Sequence, residues 1–357
     1  MESLVKIRMN LKFWSDKKVL ITGNTGFKGS WLHLMLKLYG SNVCGIGLKP
    51  NKYSLFNLLE LNNKKTSFTD INSYRDLKKK IKSFKPDIVF HLAAQPLVRR
   101  SYDRPLETYS TNVIGTLNLL NILREINETK SILNVTSDKV YFNNEKNVFY
   151  SEIDEIGGND PYSSSKACSE IVSKIFYDCY FKSQNKGLAT LRSGNIIGGG
   201  DFSNDRLIPD LMNSYFKNKK LIIRNPKSIR PWQYILDSIH GYIVLAEFLH
   251  SNYEKYSQAW NFGPNNNKKN WNVEKIVNYS KNYFSKDLNV TFKKDNQRKE
   301  SKTLNLDSSK SNKLLKWKSK FDIKKSLDKT FSWYSTLYKN PSSIKKYTIE
   351  QIYEYLN

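Results

Sequence analysis

Cysteine is scarce in this chain. Cys44, Cys168 and Cys179 show no paired metal-ligand spacing and are too few for a disulfide framework, which excludes the small stapled scaffolds and fits a reducing cytoplasm. Long apolar runs are also missing. The opening segment MESLVKIRMNLKFW is broken throughout by Lys, Arg or Asn, and no later stretch approaches the length needed to cross a bilayer. The sequence therefore predicts a cytoplasmic protein with no secretion signal and no membrane partner. No proline-rich linker separates the chain into independent domains, and no internal repeat is visible. Acidic residues are in short supply: 33 Asp and Glu face 58 Lys and Arg, for a net charge of +25. A nucleic-acid surface would gather such charge into a stripe interleaved with aromatics. Here the lysines are dispersed, as in KKYT, NNNKKN, KKDNQRKE and KSNKLLKWKSK, which reads as solvated faces without a specific nucleic-acid partner. Part of the excess would still attract a diphosphate. The opposing interpretation, a non-catalytic basic protein that binds nucleotides or RNA, predicts tight, salt-sensitive binding without turnover.

What is present suits an α/β enzyme. Hydrophobic residues make up 39% of 357, enough for a real core, and the length favours a nucleotide-binding unit plus a smaller annex. From Lys17 onward, short β-branched runs (KVLIT, NVCGIG, DIVFHLA, ILNVTS, GLATLRS) alternate with helical patterns at Gly26 to Leu38, Tyr74 to Phe84, Gly115 to Glu125 and Tyr162 to Phe181. That rhythm predicts a Rossmann-like, doubly wound parallel sheet. After Ser193 it loosens into turn-rich segments, with helices expected near Arg206 to Phe216 and Asp237 to His250. The expected organisation is a dinucleotide-binding domain over 1–190 and a smaller α/β substrate region over 191–338, partly interleaved with the core. A basic C-terminal tail with a short helix is expected over 339–357.

The first strand runs into TGNTGFKG, so Gly23, Gly26 and Gly29 form a turn that opens a helix. Glycines there permit a tight turn and close approach to a pyrophosphate, which the helix N-terminus favours. Asp70, in TSFTDIN, stands where a carboxylate accepts from an adenine amino group, and the small residues of HLAAQ would line the cofactor's far side. The second strand ends without the usual ribose-binding acid and supplies Lys49 instead, which tolerates a ribose phosphate and leaves NADP open. Tyr162 and Lys166, in DPYSSSK, project from one face of a helix, and the ammonium favours a phenolate. ILNVTS delivers Ser137, Asp138 and Lys139 at a strand's carboxyl end, where parallel sheets present chemistry.

Glycine turn, strand-end serine and YxxxK, in that order, resemble the short-chain dehydrogenase/reductase family in its extended form, across nearly the full chain. FWSDKKVLITGNTGFKGSW, AAQPLVRRSY, NVTSDKVY, GGNDPYSSSKACSE, RSGNIIGGGDF, DRLIPD, RNPKSIRPWQY and AWNFGPN are similar to the CDP-glucose 4,6-dehydratase subgroup, with Lys139 where related dehydratases carry Glu. GDP-mannose 4,6-dehydratases and nucleotide-sugar 4-epimerases are the alternatives. Asn24, Ser30 and Phe202 depart from the subgroup's usual His, Gly and Trp.

The resemblance implies NAD as cofactor, bound by Gly23, Thr25, Gly26, Phe27, Gly29, Asp70, Ile71, Leu92, Ala93, Ala94, Tyr162 and Lys166. It implies a nucleotide-sugar substrate held by Gln95, Arg99, Ser137, Asn195, Arg206 and Arg230, with catalysis by Ser137, Asp138, Lys139, Tyr162 and Lys166 and no metal. Tyr162 would deprotonate the sugar's 4-hydroxyl as hydride passes to NAD, and Asp138 would protonate the departing 6-hydroxyl. Lys139 is either the base at C5 or a fixed cation beside the enolate. Trp232 and Tyr234 are either core aromatics or stack on the base. Glu300, Leu304 and Asp307 match a late pattern that folds over the nucleotide. A homodimer built on the Tyr162 and Gly115 helices, and a product suited to O-antigen or other surface-polysaccharide synthesis, complete the expectation.

Overall fold

The computed structural model describes residues 10–144, 149–264, 271–286, 288–292 and 303–357. Seven parallel strands form the central sheet: β1 (Lys18–Thr22), β2 (Asn42–Gly47), β3 (Ser67–Phe68), β4 (Ile88–His91), β5 (Ser131–Val135), β6 (Gly187–Ser193) and β7 (Ala259–Phe262). Their order is β7-β6-β5-β4-β1-β2-β3. Strands β4, β5 and β6 are buried along their whole length, as expected where helices cover both faces. β1 pairs with β2 on one side and β4 on the other, with Thr22 opposite Ile46 and His91. The chain thus reverses direction across the sheet at β1, and a crevice opens beyond the strands' carboxyl ends.

The helices that matter for the site are α1 (Phe27–Leu38), α2 (Tyr74–Phe84), α3 (Val98–Asp103), α4 (Pro105–Tyr109), α5 (Gly115–Leu123), α6 (Pro161–Phe176), α7 (Leu207–Lys217), α8 (Ile235–Ser251), α9 (Ile323–Lys339) and α10 (Ile344–Leu356). A π-helical turn, Ser110–Ile114, joins α4 to α5, so helix begins ten residues earlier than the Gly115 periodicity predicted. α6 owes its start to local chemistry. Asp160 accepts from the Ser163 amide at 2.9 Å and Pro161 takes the first helical position, where a missing N–H costs nothing.

One region differs from expectation. The basic tail is instead a packed helix: in α10, Ile344, Ile352, Tyr355 and Leu356 are buried, and the Tyr355 hydroxyl donates to Asp237 at 2.8 Å. Its lysines lie on the outer side, so composition concealed an apolar face. The C-terminal half also supplies β7 to the sheet, and α8 packs against β5 and β6. Among the described residues, no helix is long and apolar enough to cross a membrane, and no cluster of His, Cys, Asp or Glu could hold a metal.

Candidate active site

The crevice is a cleft of about 1320 Å³, bounded by the β1–α1 turn, the ends of β4, β5 and β6, and the loops from Asn195 to Arg230. That exceeds the roughly 300–1,000 Å³ of a single small-ligand pocket, so two ligands fit end to end.

At one end, the glycine turn divides its labour. Gly23 has φ +73°, and a side chain there would lie 2.7 Å from the Ala93 amide nitrogen; a Cβ on Gly29 would stand 2.1 Å from the Gly23 carbonyl oxygen. Both are needed for packing. Gly26 is different, because a Cβ there meets only the Gly23 oxygen, at 3.4 Å, and otherwise points into open cleft. It keeps the cradle clear where α1 begins without a side-chain cap, leaving N–H groups available to a pyrophosphate. Thr25, Phe27, Asp70, Ile71, Leu92, Ala93 and Ala94 line the same end. These residues fit a dinucleotide. Lys49, expected beside the adenosine ribose, is exposed and does not line the cleft. The Thr25 hydroxyl donates to the Leu48 carbonyl at 3.0 Å, which leaves Leu48 against the cleft and directs the next residue away.

Next along the cleft stand the reactive groups. Lys166 Nζ donates to the Val135 carbonyl at 3.1 Å, and burial with the nearby Lys28 ammonium lowers its pKa to about 7. The Tyr162 phenol shares a hydrogen bond with Ser137. Burial nevertheless outweighs that bond and pushes its pKa up to about 12, so in the ligand-free protein it is a phenol. Ser137 Oγ accepts from the Lys139 amide at 3.2 Å and donates to Asp138 Oδ1 at 3.1 Å. Asp138 is buried but lines the cleft, and its Oδ2 has no hydrogen-bond partner among the described residues. Lys139 Nζ stands 4.0 Å from Asp138 Oδ1, with its side chain one-quarter exposed. The strand-end segment and the helix that motif spacing suggested are therefore brought to one point.

Behind them lies a charge pair that the sequence did not single out. Glu170, one turn beyond Lys166 on α6, is held by the Arg192 guanidinium from β6 and accepts from Thr136 Oγ1 at 2.6 Å and Thr190 Oγ1 at 3.1 Å. Both charged side chains are about 95% buried. Because Thr136 precedes Ser137, this network fixes the catalytic strand end against the catalytic helix.

The far wall carries the substrate candidates. Asn195 lines the cleft with a buried, unpaired Oδ1. Arg206 donates to Asp201 at 3.0 Å, and Arg230 also lines the cleft. Arg99 reaches across from α3 to within 3.8 Å of Asp205, which also pairs with Arg224 at 2.7 Å. Lys28, Asp201, Asp205 and Arg224 line the cleft too. Sequence reasoning gave them no role, although all four lie inside quoted motifs.

Other candidates lie outside the cleft or at its border, and of the two readings for Tyr234 and Trp232 the core one fits. Gln95 does not line the cleft. Its side chain donates to the Leu97 carbonyl at 3.1 Å and Thr108 at 2.9 Å and accepts from the Leu97 amide at 2.7 Å, so it pins its own loop. Tyr234 is core, its hydroxyl donating to Gln351 and its ring stacked on Phe321. Trp232 is mostly buried, donates to the Trp271 carbonyl at 3.1 Å and only borders the cleft. Leu304 is buried, and Asp307 caps the turn into Ser309; neither lines the cleft. Glu300 lies outside the described residues.

Comparison with known proteins fits this geometry. The profile of the GDP-mannose 4,6 dehydratase family matches residues 20–330. The chain belongs to that family, within the NAD-dependent epimerases and dehydratases. It is 44% identical over 329 residues to the CDP-glucose 4,6-dehydratase of Salmonella typhimurium, covering 90% of this chain and 91% of that protein. Among solved structures, dTDP-glucose 4,6-dehydratase from Bacillus anthracis in complex with NAD superposes with a TM-score of 0.74 at 22% identity, over 96% of this chain and 100% of that one. UDP-glucose 4-epimerase of Thermotoga maritima with UDP-glucose gives 0.77 at 20% identity, over 89% and 99%. At these identities the two structures speak for the fold alone.

Proposed function

We propose that this protein is an NAD-dependent CDP-glucose 4,6-dehydratase, converting CDP-glucose to CDP-4-dehydro-6-deoxyglucose and water. The observation that carries this reading is the meeting of Tyr162, Ser137, Asp138, Lys139 and Lys166 between a dinucleotide cradle and an arginine-lined wall. The 44% identity to the Salmonella enzyme supports the choice of nucleotide sugar.

Bound NAD supplies the hydride acceptor and, later, the donor, so net redox is zero. Tyr162, ionised to the phenolate in the loaded enzyme, takes the proton of the sugar 4-hydroxyl, and Ser137 hydrogen-bonds the same oxygen. Lys166 holds the cofactor ribose and, as a cation, favours the phenolate. Oxidation at C4 acidifies the C5 hydrogen. Asp138 then donates a proton to the departing 6-hydroxyl while Lys139 receives the C5 proton, and as hydride returns to C6 Lys139 gives a proton back to C5.

Incubation with CDP-glucose and NAD is expected to yield a product with the alkali-induced absorbance of a 4-keto-6-deoxy sugar. Turnover with dTDP-glucose or GDP-mannose alone overturns the choice of nucleotide and keeps the reaction. For Lys139→Met, solvent-deuterium incorporation at C5 should be lost; undiminished incorporation removes Lys139 from proton transfer.

The chain functions in the cytoplasm as a homodimer. Supporting the dimer, Leu106, Ile114, Leu117, Ile171 and Ile175 are exposed on α4, the π-turn, α5 and α6, an apolar face suited to a four-helix contact. A monomeric mass by light scattering contradicts it. The keto product suits synthesis of deoxysugars for surface polysaccharide such as O-antigen.

A further inference from the structure

We propose that Lys28 is a phosphate-binding residue of the cleft, its ammonium pairing with a nucleotide diphosphate in the loaded enzyme. Lys28 is the second residue of α1, directly after the glycine cradle, and its side chain lines the cleft. The charges facing it come from every neighbouring element: Asp138 after β5, Lys166 on α6, and Asp201 and Arg206 on the far wall. Of the two carboxylates among them, Asp201 is paired with Arg206 at 3.0 Å, and Asp138 accepts from the Ser137 hydroxyl at 3.1 Å through Oδ1 alone. Lys28 itself makes no hydrogen bond or ion pair with any described residue. Lys166 finds only a carbonyl.

Two lysines and the positive end of a helix therefore face one volume in which neither lysine is hydrogen-bonded to a carboxylate, although Asp138 and Asp201 stand near Lys28 and Glu170 near Lys166. Burial and the Arg206 charge accordingly lower the Lys28 pKa to about 8. A diphosphate entering this volume reverses that balance and restores the proton. Both ligands of the proposed reaction carry a diphosphate: the cofactor between its two nucleosides, the substrate between nucleoside and sugar. Only the substrate source rests on the function proposed above.

The test is calorimetric titration of the full chain with NAD and, separately, with CDP, for wild type, Lys28→Met and Lys28→Arg. Lys28→Met should weaken one of the two by roughly 10- to 100-fold, the scale of a charge-assisted hydrogen bond, and Lys28→Arg should recover most of it. The nucleotide affected identifies the source. Above pH 8, wild type should take up a proton on binding that nucleotide, seen as a heat that varies with buffer ionisation enthalpy; Lys28→Arg should not. That wild-type measurement stands even where Lys28→Met fails to fold. Affinities for both nucleotides within twofold of wild type in Lys28→Met, or no proton uptake in wild type, overturn the assignment. Failure of wild type to bind CDP counts against the CDP-glucose reading, while the NAD titration still tests Lys28.

Discussion

The two walls of the cleft are built differently. On the sheet side, Ser137, Tyr162 and Lys166 are held by buried groups: the Val135 carbonyl, the Ser101 hydroxyl that accepts from the Tyr162 amide, and the Glu170–Arg192 pair with its threonines. On the annex side, Arg206 is held by the buried Asp201, and Arg99 and Arg224 by Asp205, whose carboxylate is within reach of water. Bond-making groups must be positioned before substrate arrives, because misplacement costs rate directly. Groups that grip a polyanion gain from partners that a phosphate can replace. Asp205, with φ +59° and two arginines on one carboxylate, occupies the position of such a replaceable anion.

The largest effect that would break this contrast lies on the sheet side. Tyr162→Phe should lower turnover about 10²- to 10⁴-fold while CDP binding stays within a few-fold of wild type; a comparable loss of CDP binding would mean the phenol belongs to recognition. Glu170→Ala, which leaves Arg192 buried and unpaired, should cost about 3–5 kcal/mol in urea unfolding. A loss below about 1 kcal/mol would show that the two charges are solvated and the wall is not rigid.

On the annex side, Arg206→Ala should raise KM for CDP-glucose about 10- to 100-fold, with kcat changed far less. A fall in kcat alone would move Arg206 to the chemical step. Asp205→Ala should lower KM only a few-fold, since it frees Arg224 from its 2.7 Å ion pair; an increase in KM would make Asp205 a scaffold instead.

The smallest effect is on stability. Lys28 and Lys166 have pKa values lowered by burial to about 8 and about 7, so between those values and the ordinary 10.5 the unfolded chain binds more protons than the folded one. Their contribution to stability therefore rises with pH from about 7 upward. Wild type should gain thermal stability relative to Lys28→Met as pH goes from 7 to 9; a difference that stays constant would mean Lys28 is solvated.

Much of the sheet-side wall was legible because its elements are short and local. A fully apolar β-branched run, a glycine turn and a helix opened by Asp160-Pro161 each declare themselves within a few residues. The motif order then placed them on one fold. The annex-side wall was less legible, since Gln95 and Arg99 stand four residues apart in AAQPLVRR yet only Arg99 faces the cleft. Direction within a loop depends on which backbone groups need partners, and Gln95 serves Leu97 and Thr108.

The C-terminal helix makes the same point for the core. Its lysines declared themselves in composition, while its buried face found partners only in Asp237, Tyr234 and Phe321, contributed by distant segments. The sequence by itself determined the parallel sheet, the dinucleotide cradle and the identity of the reactive groups, because those rest on periodicity and on spacing within single elements. Tertiary structure alone decided which charges meet: Glu170 with Arg192, Asp205 with two arginines, and Lys28 near Asp138, Asp201 and Arg206 with no ion pair among the described residues. Electrostatic partnership depends on distances across the fold, and no local pattern encodes them.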